Sequence, residues 1–185
     1  MKFKSSFQAT MWIVTILMFL CMVISFGIYS MTEISIFNVL GITALTTFYH
    51  FGIRLFLGEW LLKKLVPTKI DYNKKWFQSK PFEPWLYKKM KVKSWKLNMP
   101  TYDPQAFSLE KHSLEEIVMA MCNSEIVHTC NVVVSFVPLL FSLKFGTFVV
   151  FLLTSVGAAC FDLVFVMMQR YNRPRLMKMM KKMGK

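Results

Sequence analysis

Four apolar runs, each about as long as a membrane-crossing helix, leave this chain few ways to fold. They cover residues 7–29, 36–57, 126–143 and 145–168. A helix needs about 20 residues to cross a hydrocarbon layer about 30 Å thick. Backbone donors and acceptors in lipid must be satisfied within the segment, and a run of this length does that as a helix. The expected fold is therefore an all-α integral membrane protein. It forms a single membrane domain over 1–185, with four transmembrane helices plus cytoplasmic interfacial helices. The first run follows Lys2 and Lys4 as a signal peptide would. It is long for one, however, and no small-residue cleavage site follows, so it reads as a retained anchor. Pro138 predicts a kink in the third run.

Composition agrees. The chain is 55% hydrophobic yet carries a formal charge of +13. A soluble domain rarely combines the two, whereas a membrane protein does so by segregating its charges. Lys2 and Lys4 precede the first run, and the 30–35 connection holds Glu33 and no cation. The long 58–125 connection holds twelve lysines, the third connection only Lys144, and the tail from Arg170 seven basic residues. Positive segments stay inside. Both termini and the middle connection are thus expected on the cytoplasmic side. The four cysteines are scattered and read as small apolar thiols, not a disulfide framework.

The 58–125 connection interleaves its lysines with Trp76, Phe77, Phe82, Trp85, Tyr87 and Trp95. Rings favour the headgroup zone and lysines favour anionic lipid, so this segment is expected on the inner membrane face. Basic and aromatic residues also bind nucleic acid, but no binding module accompanies them here. Ser113 to Glu116 spells a capping box that opens a helix running towards the third span, with Asn123–Ser124 as a weak joint. In the tail, 173–185, Leu176, Met179, Met180 and Met183 recur at helical spacing with lysines opposite. That predicts an amphipathic helix, separated from the fourth span by a break at Asn172 and Pro174.

Ionisable residues within spans are costly and are functional candidates. His50 and Arg54 share one face of the second run, and Glu125 and His128 one face of the third. Asp162 and Arg170 belong to the last part of the fourth. All fall towards the cytoplasmic ends. Glu125-x-x-His128 reads as a histidine base oriented by a carboxylate. The same spacing occurs in di-iron bundles, but those need a second such motif and two further glutamates, so no metal is expected. The stretch QRYNRPRL at 169–176 holds Arg170, Arg173 and Arg175 in a chain otherwise rich in lysine. A guanidinium grips phosphate or carboxylate through two parallel hydrogen bonds. That choice points to a specific anion: an acyl donor's phosphates, a headgroup, or a carboxylate such as Asp162.

QRYNRPRL, the SEIVH stretch around Glu125 and His128, and VKSWK at 92–96 together resemble the glycosyl-4,4'-diaponeurosporenoate acyltransferase family. These are bacterial membrane enzymes of staphyloxanthin, a carotenoid. The resemblance runs from about Lys80 to Leu176. It implies transfer of a fatty acyl group, from acyl-coenzyme A or a similar donor, to a sugar hydroxyl of a glycolipid in the bacterial cytoplasmic membrane. No other cofactor is implied. The chain departs from the carotenoid enzymes at Asp162 and Thr129, which leaves the acceptor open. The expected site has His128 as base with Glu125, His50 and Asp162 around it. Arg170, Asn172, Arg173, Arg175, Arg54 and Trp95 would bind substrate. The expected partners are membrane lipids, an acyl donor and a lipid-linked hydroxyl acceptor, with no nucleic acid; oligomeric state is left open. The alternative is a non-catalytic lipid-binding or membrane-complex assembly subunit.

Overall fold

The computed structural model of the chain describes residues 4–61, 64, 69–101 and 103–183. No strand occurs among them. Helix α1 spans Ser6–Thr32 and α2 spans Ser35–Leu55. Two short helices follow, α3 (Glu83–Lys89) and α4 (Val92–Trp95). Then come α5 (Leu114–Val134), α6 (Ser142–Phe145) and α7 (Phe148–Met183). Four helical stretches are long and apolar enough to cross a membrane: Ser6–Thr32, Ser35–Trp60, Leu114–Phe145 and Phe148–Met183. In their most apolar windows only 17% to 28% of residues are buried, so most of each span faces outward. Those outward faces carry Ile16, Leu20, Ile24, Val149 and Leu153. Lipid is as apolar as these side chains, so their exposure costs nothing in a bilayer.

Helix α1 starts where Ser5 accepts from the Gln8 amide at 3.1 Å, and it ends at Glu33 in a left-handed conformation. It packs along α2 as an antiparallel hairpin. Gly41 makes the close approach possible, because a Cβ there would lie 2.7 Å from the Phe26 ring. Thr15, Thr43, Thr46 and Thr47 each donate to the carbonyl four residues earlier, which satisfies their hydroxyls inside the span. Beyond Leu55 the helix widens into a π turn, Phe56–Leu61.

The second hairpin, α5 against α7, departs from the sequence expectation in three places. Helix α5 begins at Ser113 with the capping box, both reciprocal hydrogen bonds present, but it runs unbroken through Asn123 and Ser124. Cys122 and Glu125, on either side of the expected joint, are buried against α7, and that packing outweighs two weak helix formers. At Pro138 the chain changes helix type: α5 stops at Val134 and a 3-10 turn, Val137–Phe141, takes Pro138 in its first turn. Last, no break separates the fourth span from the tail. Helix α7 continues through Asn172 with Pro174 inside it. Proline removes one backbone hydrogen bond there. Side-chain ties from Gln169 to Arg173, described below, hold the helix axis through that gap.

The N-terminus, the end of α2, the middle segment and the last third of α7 converge at one end of the bundle. Lys4 Nζ reaches Asp103 at 2.5 Å, and Gln8 Nε2 donates to Glu59 at 2.5 Å. Lys96 Nζ donates to Asn172 at 2.6 Å. The two hairpins meet where the Tyr49 hydroxyl donates to the Val134 carbonyl at 2.9 Å. Gly41→Val should force α1 and α2 apart and cost about 1–3 kcal/mol, as overpacking does. Gly27→Ala, inside α1 with nothing within 4 Å of its added carbon, should hold stability or raise it by up to about 1 kcal/mol. Thermal unfolding of the two variants in detergent checks this.

Candidate functional site

The seam between α5 and α7 is lined with polar side chains. On α7 the buried positions are Phe151, Ser155, Ala159, Asp162, Phe165, Gln169 and Arg173, at helical intervals of three and four. Helix α5 answers with Cys122, Glu125 and Asn131, and Ser135 caps it. A span exposes its apolar side to lipid, so its polar residues find partners only on the inward side.

Two carboxylates organise this seam. Glu125, 1% exposed, accepts from Arg170 at 2.6 Å through one oxygen and from Arg173 at 2.5 Å through the other. Arg170 also donates to Glu83 at 2.6 Å and to the carbonyls of Trp76 and Gln78. Arg173 donates to the Phe77 carbonyl at 2.6 Å and lies over the Phe77 ring. The two arginines thereby fasten the 76–83 segment to the end of α7. Beside this segment, burial and the neighbouring Glu83 carboxylate push the Tyr87 phenol well above its usual range.

Asp162, also 1% exposed, is the second hub. Its Oδ2 accepts from Arg54 at 2.5 Å, and its Oδ1 from His128 Nδ1 at 2.8 Å and Asn131 at 3.3 Å. Arg54 further donates to the carbonyls of His50 and Ala158 and to Ser135 Oγ, so one guanidinium from α2 ties the two hairpins together. The His128 ring stacks on Phe165, with centroids 4.6 Å apart and planes 8° apart. An ionised carboxylate only accepts, so Nδ1 carries the hydrogen of this bond, and in the neutral ring Nε2 is then the nitrogen with the lone pair.

His128 and Asp162 line a cavity of about 530 Å³. Phe7 and Met11 of α1, Arg54 and Gly58 of the α2 end, and Val127, Phe161 and Met168 form its walls; Pro100, Thr101, Asp103, Pro104, Ala106 and Phe107 supply much of the rest. Gln169, which donates to Ser124 Oγ at 3.1 Å, and Asn172 line it as well. The cavity is chiefly apolar, with a small set of convergent polar groups, as ligand sites are.

The sequence expectation is met by an exchange of partners. The carboxylate on His128 belongs to Asp162, while Glu125 is taken up by Arg170 and Arg173. The three arginines do not form one open anion site. Arg170 and Arg173 are occupied internally, and only Arg175 is exposed, stacked 3.6 Å over the Tyr171 ring. Arg54 and Asn172 reach the cavity. Trp95 is not among the residues of this cavity's wall and donates its indole N–H to the Met90 carbonyl. His50 is 8% exposed, faces Tyr49 edge-on, and has no hydrogen-bond partner on either ring nitrogen among the described residues. Among those residues, no group of three or more His, Cys, Asp or Glu side chains is placed to hold a metal ion.

Sequence reasoning missed Asn131, Ser135 and Glu83, and placed Gln169 on one stripe with Asp162 without giving it a role. Asn131 and Ser135 share a helical face with His128, at intervals of three and four, and that stripe was the available signal. Glu83 carried none, because its partner lies 87 positions away.

A model of the glycosyl-4,4'-diaponeurosporenoate acyltransferase family matches residues 73–182. That interval contains His128, Asp162, Glu125 and all three tail arginines. Comparison with curated proteins and with solved structures gave no match.

Breaking a buried ion pair strands its partner's charge. Glu125→Gln should therefore destabilise the protein by about 3–5 kcal/mol. Asp103→Asn, at the exposed Lys4 pair, should cost under about 1 kcal/mol. Chemical unfolding in mixed micelles measures both, and equal losses would refute the central place given to Glu125.

Proposed function

The chain belongs to the glycosyl-4,4'-diaponeurosporenoate acyltransferase family, and from that premise we propose that it moves a fatty acyl group from an activated donor, such as an acyl-coenzyme A, to a hydroxyl of a glycolipid or other lipid-linked acceptor. The observation that carries this reading is the His128–Asp162 pair in the wall of an apolar cavity. The acceptor hydroxyl gives its proton to His128 Nε2 as its oxygen attacks the acyl carbonyl carbon. Collapse of the tetrahedral intermediate breaks the bond to the donor's sulfur, or to its oxygen if the donor is an ester. The leaving group takes the proton back from Nε2. Asp162 holds the ring by Nδ1 and balances the imidazolium that forms between the two proton transfers. Arg54 and Asn131 hold Asp162 in turn.

The rest of the cavity suits the two substrates. Its apolar walls accept an acyl chain, and Ser124, Gln169 and Asn172 offer hydrogen bonds to a sugar or an ester. Pro100, Pro104, Ala106 and Phe107 limit water beside the reacting carbonyl, which protects the donor from hydrolysis. The site lies at the same end of the bundle as the basic middle segment, so the positive-inside tendency supports a reaction at the cytoplasmic leaflet of the membrane. A non-catalytic lipid-binding role would account for the closed Glu125 clasp. It does not account for a histidine that is 22% exposed beside a cavity while its other nitrogen is fixed by a carboxylate.

His128→Ala should lower acyl transfer about 10²–10⁴-fold, the usual share of a general base, and lower the unfolding temperature less than Glu125→Gln does, because Asp162 keeps Arg54 and Asn131. Purified protein supplied with acyl-coenzyme A and extracted glycolipids, with products read by mass spectrometry, checks this. Undiminished ester formation by the variant would reject His128 as the base.

A further inference from the structure

A second hollow, of about 810 Å³, opens between the α3–α4 turn and the end of α7, where Arg170, Tyr171, Pro174 and Arg175 lie. Its walls include Lys88, Lys91, Lys93 and Arg175, all exposed. The acid in its lining is Glu83, which is buried and already pairs with Arg170. A lysine run on a helix normally spreads its charge into solvent. Here the lysines converge on a concavity, and among the described residues none of the three has an acidic partner within 4.0 Å.

The backbone that brings them together is unfavourable. Lys91 has φ +50°, a left-handed conformation that costs a non-glycine residue about 1 kcal/mol or more. It follows Met90, the C-cap of α3, and is itself the N-cap of α4, and Ser94 fixes the turn through both its amide and its hydroxyl to the Lys91 carbonyl. A glycine would fold this turn more easily. The chain keeps a lysine, which points to a use for its charge. Opposite, Arg175 lies flat on Tyr171 and donates one hydrogen bond to the Tyr171 carbonyl at 3.3 Å, leaving the rest of its fork to the hollow. Lys96, next along, holds Asn172, a residue of the cavity containing His128.

We propose that this hollow binds the phosphate-bearing head of the acyl donor, with Lys88, Lys91, Lys93 and Arg175 as its anion-binding groups. Point-charge lysines around one oriented guanidinium suit phosphate oxygens, which accept from several directions at once. The assignment rests on the acyl-transfer reading for the word donor, but not for the binding itself. Two sources share the chemistry: the nucleotide phosphates of a coenzyme A thioester and the phosphodiester of an anionic phospholipid.

Calorimetric titration of the purified full-length protein in a neutral detergent tests it, with coenzyme A, a short-chain phosphatidylglycerol and phosphate-free pantetheine as probes. One of the two phosphate probes is expected to bind, more weakly as salt rises, and pantetheine is not. Binding of coenzyme A assigns a thioester donor, and binding of phosphatidylglycerol assigns a phospholipid donor. Lys91→Gly should weaken binding about tenfold, the loss expected for one charge-assisted contact, while its unfolding temperature holds or rises because strain is relieved. Lys88→Gln with Lys93→Gln should weaken it further. His128→Ala should bind as the parent does, so lost turnover with intact binding separates the two readings. If neither phosphate probe binds, or if Lys91→Gly and the Lys88/Lys93 double variant bind as tightly as the parent, the proposal is overturned.

Discussion

A carboxylate inside a bilayer has no solvent to turn to. Asp162 and Glu125 are each 1% exposed within spans, and each is tolerable only because donors from other parts of the chain converge on it. That requirement fixes the architecture. Asp162 needs Arg54 from α2 and His128 and Asn131 from α5, so three spans must meet at its depth. Glu125 needs Arg170 and Arg173, so α7 must run on past its apolar part and stay beside α5. The apolar contacts of the bundle cannot supply this specificity, because lipid competes equally well for apolar faces.

The same demand separates two kinds of polar residue along one seam. Around Glu125 the donors that Arg170 and Arg173 use all go to the protein itself, to Glu125, Glu83 and the carbonyls of Trp76, Phe77 and Gln78, and only Arg173 Nε has no partner among the described residues. That cluster is a clasp: it secures the middle segment and carries α7 across Pro174. Around Asp162 both carboxylate oxygens are paired as well, but one of the donors, His128, lines a cavity and is 22% exposed. A ring fixed on one side and open on the other suits proton transfer. A ring bonded on both sides would only join helices.

How much of this could be read in the sequence follows from the range of each interaction. The spans, the Ser113–Glu116 capping box and the gathering of ionisable residues at one end depend on length, local spacing and charge balance, which a single chain displays. Partner identity is different. Glu125 and His128 are three apart and suggest one another, yet each finds its partner on α7, at Arg173 and Asp162. Local proximity on a helix face is a weak attraction. A buried charge-assisted bond between helices is stronger, and the register between α5 and α7 is set by all such bonds together. The arginine-rich stretch illustrates this. Its composition announced the gripping of an anion, and two of its three arginines grip one, but that anion is the protein's own Glu125. Likewise Pro174 and Asn172 signal a helix end in isolation, and the clasp overrides them.

Access to the cavity follows from the relative strengths of these ties. The seam between α5 and α7 is held by buried ion pairs, each costly to break. The 103–107 segment, which also lines the cavity, is tied through Asp103 to Lys4 ahead of α1, and these two side chains are 27% and 44% exposed. Such a pair contributes under about 1 kcal/mol. Displacing that segment therefore costs far less than parting the helices that carry His128 and Asp162. On the proposed reading, a substrate that enters beneath it leaves the histidine–aspartate geometry undisturbed. The polar seam thus does two things at once: it makes buried charge affordable in a membrane, and it confines movement to the side of the cavity where no charge would be stranded.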